Sequence, residues 1–399
     1  MISVQEATDI ILQYPQMLET ETVPLIEAIG RVLREDLYAD RPFPPYDRVT
    51  MDGIAIKYEA FAAGQRLFPI EGIIAAGDPE GVLSNAEHCV EIMTGAVLPK
   101  GADIVIRYED IELKDGMARV TIEDIKSSQN VHRKGTDRAQ GSKIVSAGKL
   151  ISSAEIGVAA TIGKANLKVA KLPKTAIVST GDELVDVTET PLPHQIRRSN
   201  VYRLQASLKQ HGIVADAYHI IDDQAITETT LVQLLEKYDV LLLSGGVSKG
   251  KFDFVPTAME NLGVKKLFHR IQQRPGKPFW FGQAPNGALV FALPGNPVSS
   301  FMCTQRYFFP WLRKSLGLAP LNLPTARLEK SITFLPDLTY FCQVSISYDQ
   351  EGHLLAIPAE GHGSGDLANL ADADAFMELP NGSDVFLAGA CYPVFFYRL

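Results

Sequence analysis

Four acidic residues stand in short turns behind predicted strands: Glu183 in "STGDEL", Asp222 and Asp223 after "AYHII", and Asp253 in "SGGVSKGKFD". In open α/β sheets ligands bind at the carboxyl ends of the strands, so Glu183, one of Asp222 and Asp223, and Asp253 are expected on one rim. Three carboxylates there repel one another unless a divalent cation or a basic group sits among them. Mg²⁺ held partly through substrate phosphates is the usual arrangement. Each acid also has a plainer reading as a helix cap or turn residue.

The glycine-rich turn reads two ways. From Gly245 it matches the first seven positions of a phosphate-binding loop, with Gly250 and Lys251 in place, but Phe252 stands where a hydroxyl would hold magnesium. Gly245 and Gly246 allow a sharp backbone turn that exposes N–H groups to an anion, with Ser248 beside them. An ordinary strand-to-helix turn needs the same glycines.

Two further segments suit an anion. "RPGKPFWFG" presents Arg274 and Lys277 on a proline-stiffened loop, a clamp for phosphate or another oxyanion. "LPGNPVSS" sets Pro294, Asn296 and Pro297 at the start of a predicted helix, whose free N–H groups and dipole favour negative charge. Asp52 in "TMDGIAI" and Thr94 in "EIMTGAV" read, on physics alone, as ordinary turns of a β domain. The histidines show no HExxH pairing and no serine occupies a nucleophile elbow, so zinc or serine hydrolysis is unsupported.

The elements that must carry these residues alternate. From Lys174 to about Gly317, short β-branched runs such as "TAIVST" and "DVLLLS" alternate with helix-period segments such as "AITETTLVQLLEKY", the pattern of a parallel sheet covered by helices. The helix "SNVYRLQASLKQHG" is expected to be capped by Ser199 or Asn200 and stopped by Gly212. From about Asp47 to Gln129, Gly and Pro punctuate short strand-like runs, which predicts a small β domain. From Leu321 onward, alternation in "YFCQVSIS" and "LLAIPA" predicts a C-terminal barrel or sandwich.

A chain of 399 residues exceeds the usual size of one core, so several domains are expected. Its net charge of -9 argues against nucleic acid or an acidic membrane as the main partner. The four cysteines lack paired spacing, the first turn is acidic where a signal peptide is basic, and no apolar run spans a bilayer. A cytoplasmic protein is expected.

"PPYDRVTMDGIAI", "IMTGAVLPKGADIVI", "NVHRKGTDRAQG", "STGDEL", "SGGVSKGKFD", "RPGKPFWFG" and "LPGNPVSS" occur in the order and spacing of the molybdopterin molybdenumtransferase family, the MoeA and gephyrin E-domain proteins, which the chain resembles over nearly its whole length. The resemblance implies a multidomain α/β plus β homodimer: an elongated N-terminal domain (1–46 and 137–170), a small β domain (47–136), a three-layer αβα molybdopterin-binding domain (171–318) and a C-terminal β barrel (319–399). It implies insertion of molybdenum from molybdate into adenylylated molybdopterin with release of AMP, assisted by Mg²⁺. It also implies contact with a molybdopterin adenylyltransferase and with molybdoenzyme acceptors.

By the same resemblance, Asp52, Thr94, Asp137, Glu183, Asp222 and Asp253 match functional acids and a hydroxyl, with Glu183, Asp222 and Asp253 as metal ligands. Lys277, Pro294, Pro297 and Ser364 match substrate-side positions, beside Gly245, Gly246, Ser248, Arg274 and Asn296. The chain departs from the family at Arg274 (commonly lysine), His132 (commonly arginine) and Arg138 (commonly apolar), with Arg133 placed to compensate for His132. Two other classes fit the same residues: a non-catalytic or divergent pterin-binding scaffold, and a hydrolase of adenylylated pterin.

Overall fold

A computed structural model describes residues 1–247, 254–359 and 363–398. The chain forms two compact units, one made of Met1–Thr22, Gly30–Val32 and Lys168–Leu399, the other of Val23–Ile29 and Leu33–Leu167.

The larger unit is built on a six-stranded sheet. Its strands are β1 (Thr175–Thr180), β2 (Asp216–Ile220), β3 (Val240–Ser244), β4 (Lys265–His269), β5 (Trp280–Gln283) and β6 (Leu289–Leu293), in the order β2-β1-β3-β6-β5-β4. The first four in that order are parallel. Strand β5 alone is reversed, antiparallel to both β6 and β4, which departs from the parallel pattern read in the sequence. The reason is local: Ala284 N–H donates to Ala288 O, closing a tight turn between β5 and β6, whereas a parallel crossover needs about a dozen residues or more.

Strands β1, β3 and β6 are buried along their whole length because both faces of the sheet are covered. Alternation sends Ile177, Leu242 and Phe291 into one core and Val178, Leu243 and Ala292 into the other. The covering helices include α1 (Ser199–Gln210), α2 (Gln224–Lys237), α3 (Val255–Asn261) and α4 (Pro297–Cys303), the last continuing through a π turn at Thr304–Phe308. Pro297 occupies the first turn of α4, where its missing N–H costs nothing. The N-cap of α1 is Arg198, without a side-chain cap bond, rather than Ser199 or Asn200.

The same unit carries a closed barrel of β7 (Thr325–Leu328), β8 (Thr339–Tyr348), β9 (Leu354–Pro358), β10 (Ala375–Leu379) and β11 (Cys391–Phe396). Hydrogen bonding runs β8-β9-β7-β11-β10 and back to β8, so the circuit leaves no edge and decides for a barrel over a sandwich. Gln273–Arg274 adds a short parallel strand on β8.

In the smaller unit a second six-stranded sheet contains Gly53–Ile56 between Ile104–Arg107 and Cys89–Ile92. At Gly53 a Cβ atom would stand 1.8 Å from the Ile106 carbonyl oxygen, so the residue after Asp52 has to be glycine for these strands to pair. Helix Ser153–Thr161 opens on a capping box formed by Ser152 and Glu155.

Candidate active site

In the larger unit a cleft of about 450 Å³ opens at the carboxyl ends of β1, β2, β3 and β6, where the strand order reverses. It collects Glu183, Asp222, Gly245, Gly246, Pro294, Asn296 and Pro297. Asp253 and Ser248 lie outside the described residues.

Local chemistry explains how the two acids reach the rim. Gly181 has φ +131°, and a Cβ there would lie 2.4 Å from Glu183 Oε2, so glycine lets the Glu183 carboxylate fold back over the end of β1. Asp182 Oδ1 accepts the Asp222 N–H at 3.0 Å, tying the turn after β1 to the turn after β2. Asp223 caps α2, its Oδ1 accepting from Ile226 N at 2.9 Å, which leaves Asp222 as the acid of the cleft. Neither the Glu183 nor the Asp222 carboxylate has an ion pair among the described residues.

The opposite wall is made of backbone. Gly245 N–H donates to Leu293 O at 3.2 Å, joining the turn after β3 to the end of β6. Asn296 Nδ2 donates to Ser364 Oγ at 2.8 Å, and Val298 N–H to Ser364 O at 3.2 Å, which docks the Ser364 segment on the start of α4. Arg274 and Lys277 are exposed and are not among the residues lining the cleft, although Pro278 is. The Arg274 guanidinium lies 5.9 Å from the centre of the Phe334 ring.

Sequence reasoning missed Arg197, Arg198 and Asn200, which also line the cleft. The available signal was "IRRSN", two adjacent cations immediately before a helix at the carboxyl edge of the sheet. Arg198 Nη2 is paired with Asp186 Oδ2 at 2.6 Å.

Asp52, Thr94 and Asp137 belong to the smaller unit. Thr94 N–H donates to Asp52 Oδ1 at 2.6 Å, and this backbone bond, followed by the Thr94 side chain, holds the Asp52 carboxyl below its ordinary range. Asp137 Oδ1 lies 2.9 Å from His132 Nε2, while Arg48 Nη2 lies 3.3 Å from His132 Nδ1. The imidazole thus bridges a cation and an acid. Arg133, the neighbouring cation, pairs with Asp47 at 2.6 Å and donates to Ser128 Oγ at 2.8 Å.

Among the described residues, one group of three metal-ligand types comes together, and it is not the expected set. Asp349, Glu351 and His353 place one ligand atom each within 4.8 Å of one another, in the turn between β8 and β9. Arg327 already pairs with Asp349 at 3.1 Å and with Glu351 at 3.6 Å, which accounts for the charge there.

Three family profiles tile the chain: "MoeA N-terminal region (domain I and II)" over residues 2–163, "Probable molybdopterin binding domain" over 176–314, and "MoeA C-terminal region (domain IV)" over 325–396. The chain is 37% identical to a molybdopterin molybdenumtransferase of Synechocystis sp., covering 99% of this chain and 100% of that one. It is 31% identical to one of Bacillus subtilis, covering 100% and 94%. A crystal structure of a molybdopterin biosynthesis MoeA protein from Pyrococcus horikoshii superposes with a TM-score of 0.82 at 27% identity, covering 100% of this chain and 99% of that one.

Proposed function

We propose, on the premise that this chain belongs to the molybdopterin molybdenumtransferase family, that the cleft at the carboxyl ends of β1, β2, β3 and β6 binds adenylylated molybdopterin. The chain inserts molybdenum in molybdenum cofactor biosynthesis. The observation that carries the placement is the pairing, in one cleft, of two carboxylates lacking cation partners among the described residues with the glycine turn Gly245–Gly246 and the Pro294–Pro297 turn.

In this reading the phosphates lie along the backbone turns and the start of α4, where N–H groups suit them. A water oxygen bonds to the pterin-side phosphorus as the bridging P–O bond breaks, AMP leaves with that electron pair, and the water's proton passes to a phosphate oxygen or to solvent. Glu183 and Asp222 orient the attacking oxygen, and Lys277, on the adjoining loop, offsets negative charge gathered by the substrate. The two carboxylates also suit Mg²⁺, a hard cation that takes oxygen ligands and shares phosphate oxygens. When bound it would supply charge neutralisation at the phosphates. Asp253 stands with them by resemblance.

The Asp52–Thr94 pair and Asp137 are taken as functional residues by the same resemblance. A four-part domain division, a homodimer, contact with an adenylyltransferase and with molybdoenzyme acceptors, and a cytoplasmic location complete the proposal. In keeping with it, no helix among the described residues is long and apolar enough to cross a membrane.

AMP release from adenylylated molybdopterin, measured with and without molybdate and Mg²⁺, tests the placement and the reaction together. Release that depends on molybdate and falls in Glu183→Gln supports it. Release indifferent to molybdate would indicate a hydrolase, and ligand binding without release a scaffold.

A further inference from the structure

Among the described residues Arg203 is a cation with no carboxylate partner. It lies one turn into α1, and its Nε and Nη1 atoms are buried with no hydrogen-bond partner among the described residues. Nη2 donates to Asn200 Oδ1 at 3.1 Å and to Ser300 Oγ at 2.8 Å, and the guanidinium lies 5.2 Å from the centre of the Phe301 ring. Burial pushes it down to about 10, which leaves it charged at neutral pH. Keeping a buried charge away from any counter-ion is costly, so its contacts ask for a role beyond packing.

The contacts converge on Asn200. With Oδ1 facing the guanidinium, the Asn200 amide nitrogen must face the other way, and there Nδ2 donates to Ser244 Oγ at 2.9 Å and to Gly295 O at 2.7 Å. One side chain thereby joins the end of β3 to the turn before α4. Turning the amide over would set Oδ1 against the Gly295 carbonyl and Nδ2 against the guanidinium, two repulsive contacts in place of two attractive ones, while the Ser244 hydroxyl could bond either way. The joined loops touch: a Cβ on Gly295 would lie 3.6 Å from Gly245 Cα. Ser300 completes the arrangement, since its hydroxyl accepts from Arg203 and donates to Asn296 O at 3.2 Å.

We propose that Arg203 is a positioning residue that locks the Asn200 amide, so that Asn200 holds the Ser244–Gly246 turn against the Pro294–Asn296 turn and sets the width of the cleft between them. That this spacing serves substrate rests on the placement of the pterin in this cleft. The locking itself does not.

Hydrogen exchange on the full chain, followed by mass spectrometry, reads the locking directly, because the Gly245 amide bonded to Leu293 O reports on the joined loops. Arg203→Met keeps the bulk beside Phe301 and removes the donor. It should speed exchange in the segment containing Ser244–Gly246 by about tenfold or more, Asn200→Ala should do the same, and the double variant should add no more than about twofold to either. The kcat/KM for AMP release should follow the same non-additive pattern. Arg203→Lys, which can still donate to Asn200 Oδ1, should keep exchange within about threefold of the native chain. It carries the test if Arg203→Met does not fold. Unchanged exchange in Arg203→Met, additive effects in the double variant, or a loss in Arg203→Lys as large as in Asn200→Ala overturns the proposal. Absence of AMP release by the native chain would overturn the substrate placement and leave the exchange result to decide the locking.

Discussion

The Thr94 backbone N–H donates to Asp52 Oδ1 at 2.6 Å, so that two turns 42 residues apart present one carboxylate in a fixed direction. The bond explains why "MDG" and "MTG" belong together: Gly53 admits the strand behind Asp52, and Gly95, at φ +89°, turns the chain after Thr94. Asp52→Asn keeps the shape and loses the charge. It is expected to lower kcat/KM for AMP release by about a hundredfold, the scale of a misplaced reacting group, with a melting temperature close to the native one. Thr94→Ala keeps the backbone donor and should be milder. A larger loss in Thr94→Ala than in Asp52→Asn would show that the hydroxyl, and not the carboxylate, does the chemistry.

Acid sensitivity should trace partly to Glu155. Hydrogen bonds from Lys149 and then Ser152 lower its carboxyl from 4.5 to about 2 in the folded chain. A folded-state depression contributes stability that is present above the unfolded value and is lost as pH falls through the folded one. The loss attributable to Glu155 therefore falls between about pH 4.5 and pH 2. Urea unfolding midpoints measured across that window should drop less steeply in Glu155→Gln than in the native chain. Equal slopes would show that the carboxyl is not perturbed.

Much of this was legible before the structure because the signals were local. The runs "TAIVST" and "VLLLS" are buried at every position because both their faces are covered, and the turns behind them line the cleft at the sheet edge where the rule for open α/β sheets looks for one. The reversal of β5 was not legible, since "WFGQ" reads equally well in either direction and the five-residue turn to β6 decides it. The contacts of Arg203 and Asn200 were invisible for another reason. Their meaning depends on residues 44, 95 and 97 positions away in the chain, and no periodicity records such contacts.

A stability prediction concerns Arg306 and Glu378, which join the π turn after α4 to barrel strand β10 at 2.8 Å, with side chains only 12% and 20% exposed. Glu378→Ala leaves the guanidinium buried without its counter-ion and should cost about 3 kcal/mol, the lower end of what breaking a buried pair costs. Arg306→Met with Glu378→Leu should recover most of that, because neither charge then remains. Denaturant titration of the single and double variants measures the coupling. If the double variant is as unstable as the sum of its parts, the pair contributes packing and not charge.

The last prediction separates the two cations of the proline-rich loop. Arg274 is tethered, since its strand pairs with β8 and its guanidinium lies over the Phe334 ring, whereas Lys277 is exposed on the turn that leads to Pro278 in the cleft wall. An ammonium on a flexible stem can follow a phosphate, and a guanidinium already lying over an aromatic ring gives up that contact to do so. A charge-assisted contact is worth about 1.5–3 kcal/mol, or roughly one to two orders of magnitude in affinity. Lys277→Ala should weaken binding of adenylylated molybdopterin by that much, with a loss that shrinks as salt rises. Arg274→Ala should cost less in binding and more in thermal stability. Calorimetric titration of both variants at two salt concentrations decides the order, and a larger binding loss at Arg274 would place the substrate phosphates against the barrel instead of along the turns after β3 and β6.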